Sequence, residues 1–394
     1  MIKKKTKIKR RPKKLKVAHV VPATPHACGM YETARDLVLA ERKLGINAHI
    51  VDPRPSRKEV DGKVQRKMKK GKCPKCDEEF DIVLDEQQIP FRPPDWHADR
   101  GVCIAPPSFA IESDIIVSHS GVDKQFFDHK GPWIHVAHGR PNSSYRIEQS
   151  GATPIYSIYK KMNDEPRWKT MVTLWPGFEH YWRLVFPDVR AFSPFVNLEY
   201  WTRQDTDYDF GGRAGKPNVV VADIWRMDKD PFHVLNAFVL FAQKCPEARI
   251  HFYGVDKNGR GKNVLFDCLK ERKILGELLP MVHHLRDVYS AADILITPHR
   301  MATRTVREAL ACGLQVVAGT GNQYTPFTAE PEDLPEFAEA IESAWKAWRD
   351  NRDREMKRNR ETAEREFDSA NTAQQFITLF EELLGKRVGL KNVG

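Results

Sequence analysis

The chain has 394 residues, 41% hydrophobic and 29% charged, which is long enough for two domains with separate cores and unremarkable for a soluble protein. Its formal net charge of +10 sits at one end, because residues 1–16 hold eight Lys and two Arg with no acid. No apolar run approaches the roughly 18–20 residues that span a bilayer, there is no secretory h-region, and seven cysteines in this length make no disulfide framework. A reducing cytoplasm is the expected setting.

The leading run MIKKKTKIKRRPKKLK cannot bury itself, so residues 1–15 are predicted to be a disordered arm. Such an arm can hold a nucleic acid or an anionic surface by phosphate contacts, or be a solvated tail of no specific use. The stretch KVAHVVPATPHACGMYETARDLVLAERKLGINAHIVD then reads as strand, loop, amphipathic helix and strand, with Gly45 where a helix C-cap is wanted. A second basic stretch, Lys63–Lys75, runs into Cys73-Pro-Lys-Cys76. A Cys-x2-Cys turn aims two thiolates at one metal, and His97 and Cys103 follow at a distance that completes a tetrahedral set. Cys73, Cys76, His97 and Cys103 are therefore a candidate structural zinc site stapling an insertion over 56–104. The alternative is two reduced surface cysteines in a loop. Redox use is disfavoured, since no strand–CxxC–helix pattern surrounds them.

Further on, SDIIVSHSG and PWIHVAHGR read as two later strands of the same sheet. His138 closes the second of these, and ligands of open α/β sheets bind outside the carboxyl ends of the strands. Its alternative is a satisfied structural histidine. The aromatic stretch TLWPGFEHYWRLVF is read as packing a core or hinge rather than stacking a base. KPNVVVADIWRMDKDPFHVLNAFVLFAQKCPEARIHFYG gives strand, helix and strand again. In SAADILITPHRMATRTVREALACGLQVVAG, buried strands are predicted over Asp293–Thr297 and Leu314–Ala318, with a helix opening near Thr305 and Glu308 in its first turn. A loop rich in Thr and Arg at a helix N-terminus suits a phosphate, and a carboxylate nearby can take a ribose. As a plain helix-dipole carboxylate, Glu308 would instead contribute a few tenths to ~1 kcal/mol.

This last segment resembles the nucleotide-sugar site of the GT-B glycosyltransferases, specifically the large retaining class known as glycosyl transferases group 1. The resemblance runs from about Lys16 to Leu384. It includes AFSPFVNLEYWT, similar to the family's Asn-Gly-Val-Asp segment, and AEREFDSANTAQQFITLFEELLG, similar to the C-terminal helix that crosses back. It implies an α/β protein of two Rossmann-like domains facing an inter-domain cleft. The expected division is an acceptor-side domain over 16–200, a donor domain over 201–365 and a returning helix over 366–394. Basic side chains, rather than a bound divalent metal, would stabilise the leaving diphosphate, so no catalytic cofactor is expected.

Carried over by position, Lys229 matches the family lysine. The usual Gly-Arg falls on Asp223-Ile224, leaving Arg226 displaced by two places and carried over by its chemistry; both cations could equally be ordinary surface residues. Glu308 matches the second Glu of the family's Glu-x7-Glu pattern, the ribose ligand, whereas the first falls on Arg300. Arg300 and Arg304 would add positive charge at the diphosphate or read an acidic sugar, beside Thr305 at the helix start. His138 would contact the sugar, Gly29 the donor phosphates with His26 a weaker candidate, and Gly254 would leave room for the nucleotide. Base recognition leans on the Met281–Leu285 region.

Other enzyme classes fit less well: there is no G-x4-GK[ST] loop, no G-x-G-x-x-G after the first strand, and no G-x-S-x-G elbow. Two rival readings remain open. The basic arm, basic loop and Cys pair would suit a transferase acting on modified DNA bases. The missing family glutamate would suit a non-catalytic binding protein derived from the fold.

Overall fold

The computed structural model describes residues 14–21, 29–53, 67–72, 79–84, 104–105, 107–119, 124–138, 164–223, 231–254, 264–279 and 284–388. Residues 1–13 of the basic arm, His26, the candidate zinc set Cys73, Cys76, His97 and Cys103, and Arg226 and Lys229 lie outside these. The chain divides into two compact units. The first gathers Met1–Ala23, Ala34–Ala191 and Ala373–Gly394; the second gathers Thr24–Thr33 and Phe192–Thr372.

The first unit is built on β1 (Lys16–Val20), α1 (Gly29–Lys43), β2 (Asn47–Val51), the hairpin β3 (Lys67–Lys72) and β4 (Glu79–Leu84), and β5 (Ile104–Ala105). It continues through α2 (Pro107–Glu112), β6 (Ile115–Ser118), β7 (Trp133–Ala137), β8 (Trp168–Thr173), α3 (Glu179–Trp182) and β9 (Val189–Ala191). Seven of these strands form a parallel sheet in the order β5-β2-β1-β6-β7-β8-β9. The sequence dictates this: IIVS and WIHVA are buried throughout, as strands covered on both faces must be. Gly45 takes φ +97° just beyond α1, the left-handed turn a helix C-terminus favours, and lets the chain enter β2 directly. Ala18, Val20, Val51, Ile116, Trp133 and Met171 share one core. Trp182 and Phe186 from the aromatic stretch join it, while Tyr181 and Leu184 of the same stretch are exposed.

The second unit runs β10 (Asn218–Ala222), α4 (Pro231–Lys244), β11 (Arg249–Tyr253), α5 (Val264–Glu271), β12 (Leu275–Leu279), α6 (Leu285–Ala291) and β13 (Ile294–Ile296). Then come α7 (Arg304–Ala311), β14 (Gln315–Gly319), β15 (Phe327–Ala329), α8 (Leu334–Asp350) and α9 (Arg352–Glu366). The final helix, α10 (Ser369–Leu384), starts in this unit and is counted with the first from Ala373, where Glu382 pairs with Arg190 at 2.8 Å. The sheet is parallel in the order β12-β11-β10-β13-β14-β15, the doubly wound arrangement in which strand order reverses beside the first strand. NVVVA of β10 is buried throughout, and its side chains alternate between two cores. Val219 and Val221 pack with α4 and α8, and Val220 and Ala222 with α6, α7 and α9.

Boundaries differ slightly from those expected. β13 covers Ile294–Ile296 rather than Asp293–Thr297, although its ladder continues one residue each way through Asp293 N to Asn218 O and Thr297 N to Val317 O. β14 is Gln315–Gly319 rather than Leu314–Ala318, because Gly319 still pairs with Ala329 of β15. α7 opens at Arg304 behind Thr303, so Glu308 stands in its second turn and not its first.

Candidate functional site

In the second unit the switch point lies between β10 and β13, so the loops leaving their carboxyl ends flank the crevice where such sheets bind ligands. Asp223 follows β10 and Thr297-Pro298-His299-Arg300 follows β13. The two loops are tied by a hydrogen bond of 2.8 Å between His299 Nε2 and Asp223 Oδ2. The His299 carbonyl accepts from Gly319 N at 3.2 Å, which holds the loop down onto β14. Here only glycine fits: a Cβ on Gly319 would lie 2.4 Å from the Pro298 carbonyl oxygen.

The loop delivers the chain to α7. Its first-turn N–H groups have no acceptor within the helix, and the Thr303 side chain makes no capping bond to them. Thr303 Oγ1 instead lies 3.0 Å from Thr305 Oγ1, placing two hydroxyls at the helix entrance. One turn on, the Glu308 carboxylate is almost fully buried and its Oε1 is 2.6 Å from Arg304 Nε. The pair follows from i,i+4 spacing. Neighbouring Tyr289 is fully buried, and burial first, the Glu308 charge second, drives its phenol well above the ordinary value. The arrangement is a helix N-terminus with two hydroxyls, backed by a carboxylate and a guanidinium in low-dielectric surroundings. It can hold an anion at the helix end and offer a carboxylate oxygen to a polyol hydroxyl.

Arg300 is turned elsewhere: its guanidinium lies 2.6 Å from Glu330, and its side chain is more than half exposed. Gly254 closes β11 with φ +120° and donates its N–H to Leu279 O at 3.0 Å. Beside it, Glu277 of β12 accepts from Tyr253 Oη at 2.7 Å and from Tyr208 Oη. Burial raises both phenols, and the carboxylate they bond to raises them further. Gly29 begins α1 with open space around it and receives Thr33 Oγ1 on its carbonyl at 2.7 Å.

In the first unit His138 follows β7 and is half-buried. Its Nε2 lies 2.8 Å from His119 Nδ1, and its carbonyl accepts from Trp175 Nε1 at 3.4 Å. Among the sequence-selected residues, then, Arg304, Thr305 and Glu308 stand together, Arg300 pairs away from them, and His138 belongs to a different unit. Asp223 and His299 were not selected. Their one signal in the sequence is position, each directly after a strand that ends at the switch point. Among the described residues no group of three or more His, Cys, Asp or Glu has metal-holding geometry, and no helix is long and apolar enough to cross a membrane.

With that geometry in hand, residues 218–347 match the family model described as glycosyl transferases group 1. No curated protein matches the chain. Solved structures do. The sucrose-phosphate synthase of Thermosynechococcus elongatus aligns with TM-score 0.64 at 16% identity, covering 94% of this chain and 100% of that one. Anabaena HepE in complex with UDP-glucose aligns with TM-score 0.63 at 12% identity, covering 93% and 99%. An α-glucosyltransferase in complex with UDP-glucose and DNA containing an abasic site aligns with TM-score 0.59 at 11% identity, covering 92% and 98%.

Proposed function

We propose that this chain, a glycosyltransferase of GT-B fold with its group 1 domain over residues 218–347, moves a sugar from a nucleotide diphosphate sugar to an acceptor with retention at the anomeric carbon. The bond between the anomeric carbon and the diphosphate breaks through an oxocarbenium-like state, and negative charge collects on the leaving diphosphate. The open N–H groups of α7, with Thr305, face that charge; Arg226 and Lys229 add positive charge to it. Glu308 accepts from the ribose hydroxyls, held in place by Arg304. His138 contacts the sugar, and Gly29 and Gly254 leave room for phosphates and nucleotide. The observation that carries the reading is the buried Arg304–Glu308 pair one turn behind a helix N-terminus, beyond the carboxyl end of β13 and inside the matched segment. A buried ion pair is a poor device for stability alone, because desolvation offsets most of its attraction.

The test uses UDP-glucose, the donor held by two of the similar structures, on wild type, Glu308→Ala and Glu308→Gln. Wild type should show a raised melting temperature and slow donor hydrolysis. Losing the carboxylate's bonds should weaken the donor roughly 10- to 100-fold in the Ala variant, with Gln retaining part of it. If neither UDP-glucose nor any other nucleotide sugar shifts the wild type, or if Glu308→Ala binds as well, the site is misread.

A second reading concerns the acceptor. The nine cations of the arm over residues 1–15 and the likeness to an α-glucosyltransferase in complex with DNA favour a modified base in duplex DNA. Duplex DNA added to the same assay should bind in a salt-sensitive way that is lost on deleting residues 1–13. Salt-insensitive or absent binding returns the acceptor to glycans, lipids or small metabolites.

A further inference from the structure

Early in the second unit the chain turns over residues 195–201, and arginine side chains on three helices donate to the carbonyl oxygens of this stretch. Arg307, on α7 and almost fully buried, donates Nη1 to Phe195 O. Arg286, on α6, donates Nη1 to Tyr200 O at 3.1 Å and lies over the Tyr200 ring. Arg360, on α9, donates Nη2 to Leu198 O at 3.2 Å and Nη1 to Trp201 O at 2.8 Å. The same Nη1 donates at 2.8 Å to Ala311 O, the last carbonyl of α7, which has no partner further along its own helix. Glu364 accepts from Arg360 Nε at 2.7 Å, so every nitrogen of that guanidinium is committed. Arg307 near its start and Arg360 at its end thus tie α7 to the same stretch of chain.

We propose that Arg307 and Arg360 are positioning residues that fix α7 along and about its own axis, and so set where its first-turn N–H groups and Glu308 meet the diphosphate and ribose of the donor. This rests on the reading of α7 as the end that binds the donor's anion. The eight residues of α7 make a helix about 12 Å long. Its apolar packing, through Val306, Ala309 and Leu310, is non-directional and resists sliding or turning only weakly. Hydrogen bonds weaken steeply once bent or stretched, and the pull of a helix end on an anion fades within one turn. Small displacements of α7 therefore matter far more to a bound diphosphate than to the core. Directional bonds near both ends of the helix supply that precision.

The charges suit the places they occupy. A guanidinium at the carboxyl end of α7 opposes the partial negative charge there. Bonds from a charged donor to a carbonyl are among the stronger ones, and the fork of Arg360 spans three carbonyls that one compact ammonium does not. The stretch being gripped is itself fixed: Asn197 Oδ1 accepts from Glu199 N at 3.1 Å and Tyr200 N at 3.3 Å, and Val196 N donates to Phe367 O at 3.0 Å. Arg307 directly precedes Glu308, so its anchor also sets the rotation at which that carboxylate is presented.

The experiment compares the full-length wild type with Arg360→Ala, Arg360→Lys and Arg307→Leu. Hydrogen exchange without donor reads the hold on α7, and UDP-glucose hydrolysis reads its consequence. In Arg360→Ala, exchange across α7 should rise roughly 10-fold while α4 and β11 are unchanged. There kcat should fall roughly 10- to 100-fold with KM raised no more than a few-fold, because the diphosphate charge that α7 meets grows towards the transition state. Guanidinium ion at tens of millimolar should restore part of that kcat, and ammonium should not. Arg360→Lys should stay close to the Ala variant. Arg307→Leu should show the same split between kcat and KM, and it serves if Arg360→Ala does not fold. Unchanged exchange across α7 in both variants overturns the tether. Raised exchange with the kcat and KM of wild type, or equal recovery with ammonium, overturns the positioning role and leaves the arginines as struts. A wild type that binds no nucleotide sugar is a failure of the transferase reading instead, and the exchange data still decide whether the two arginines hold α7.

Discussion

At position 300, where the resemblance to the group 1 pattern leads one to expect a carboxylate, a guanidinium stands, and its partner is Glu330 at 2.6 Å. A glutamate there would thus set two carboxylates against each other. Arg300→Glu is expected to lower the stability of the second unit by a few tenths to ~1 kcal/mol, the scale of an exposed pair. Adding Glu330→Arg should recover it, and urea unfolding of the three variants measures both steps. If the swapped pair recovers stability but not the UDP-glucose shift, Arg300 is also a donor contact. If it recovers both, position 300 is a loop strut. Glu308 could be found by pattern, and Arg304 is its natural partner once the helix start is known. The opposing Asp223 and His299 could not be found that way: they are 76 positions apart and meet only because β10 and β13 are neighbours.

The elements were more legible than their contacts. Runs such as NVVVA and IIVS announce parallel strands because both faces are covered, and the order strand, helix, strand emerges from them directly. β14 runs one residue further than expected because Gly319 still pairs with Ala329, and α7 opens one residue early because the Thr303 carbonyl already accepts from Arg307 N. The polar staples between elements leave no such trace. Asn359, on α9, is buried and donates to Leu314 O at 3.0 Å and Gln315 Oε1 at 2.9 Å, while Glu355 bonds the amide of the same Gln315 at 3.2 Å. These bonds pin α9 to the start of β14, whose far end carries Gly319, the donor to the His299 carbonyl. Asn359→Ala would leave the Leu314 carbonyl without this donor in a closed site, while Gln315 Oε1 keeps its bond from Arg358 at 2.9 Å. The expected cost is about 2–3 kcal/mol in the second unit, seen as a lower urea midpoint with an unchanged slope. An unchanged midpoint would mean that water replaces the side chain and that α9 is held by its apolar contacts alone.

Across the whole molecule, the histidines divide unevenly between the units, and this sets a direction for acid unfolding. In the first unit burial lowers His49 and His135 to about 3 and His119 well below its usual value, with His129 lowered as well. In the second, burial lowers His251 to about 3 and His284 to a lesser degree. A buried neutral histidine binds its proton less readily than the same residue unfolded. Its contribution is therefore intact above the unfolded value of about 6.5 and is lost as pH falls from there towards the folded value. Each group of the about-3 class removes roughly 1.4 kcal/mol per pH unit in that window. The second unit also carries Asp293, whose pKa burial raises. Such a carboxyl takes up its proton more easily folded than unfolded, so that unit is relieved as pH falls through its raised folded value. The first unit should consequently loosen before the second between pH 6.5 and pH 5. Hydrogen exchange read peptide by peptide at pH 7.5 and pH 5.5, corrected for intrinsic rates, measures this. Protection should fall first across β1, β2, β6 and β7, while β10, β13 and β14 hold. Loss beginning in β10–β14 would mean that the buried histidines of the first unit reach water without unfolding, and the sealed environment assigned to His119 would be wrong with it.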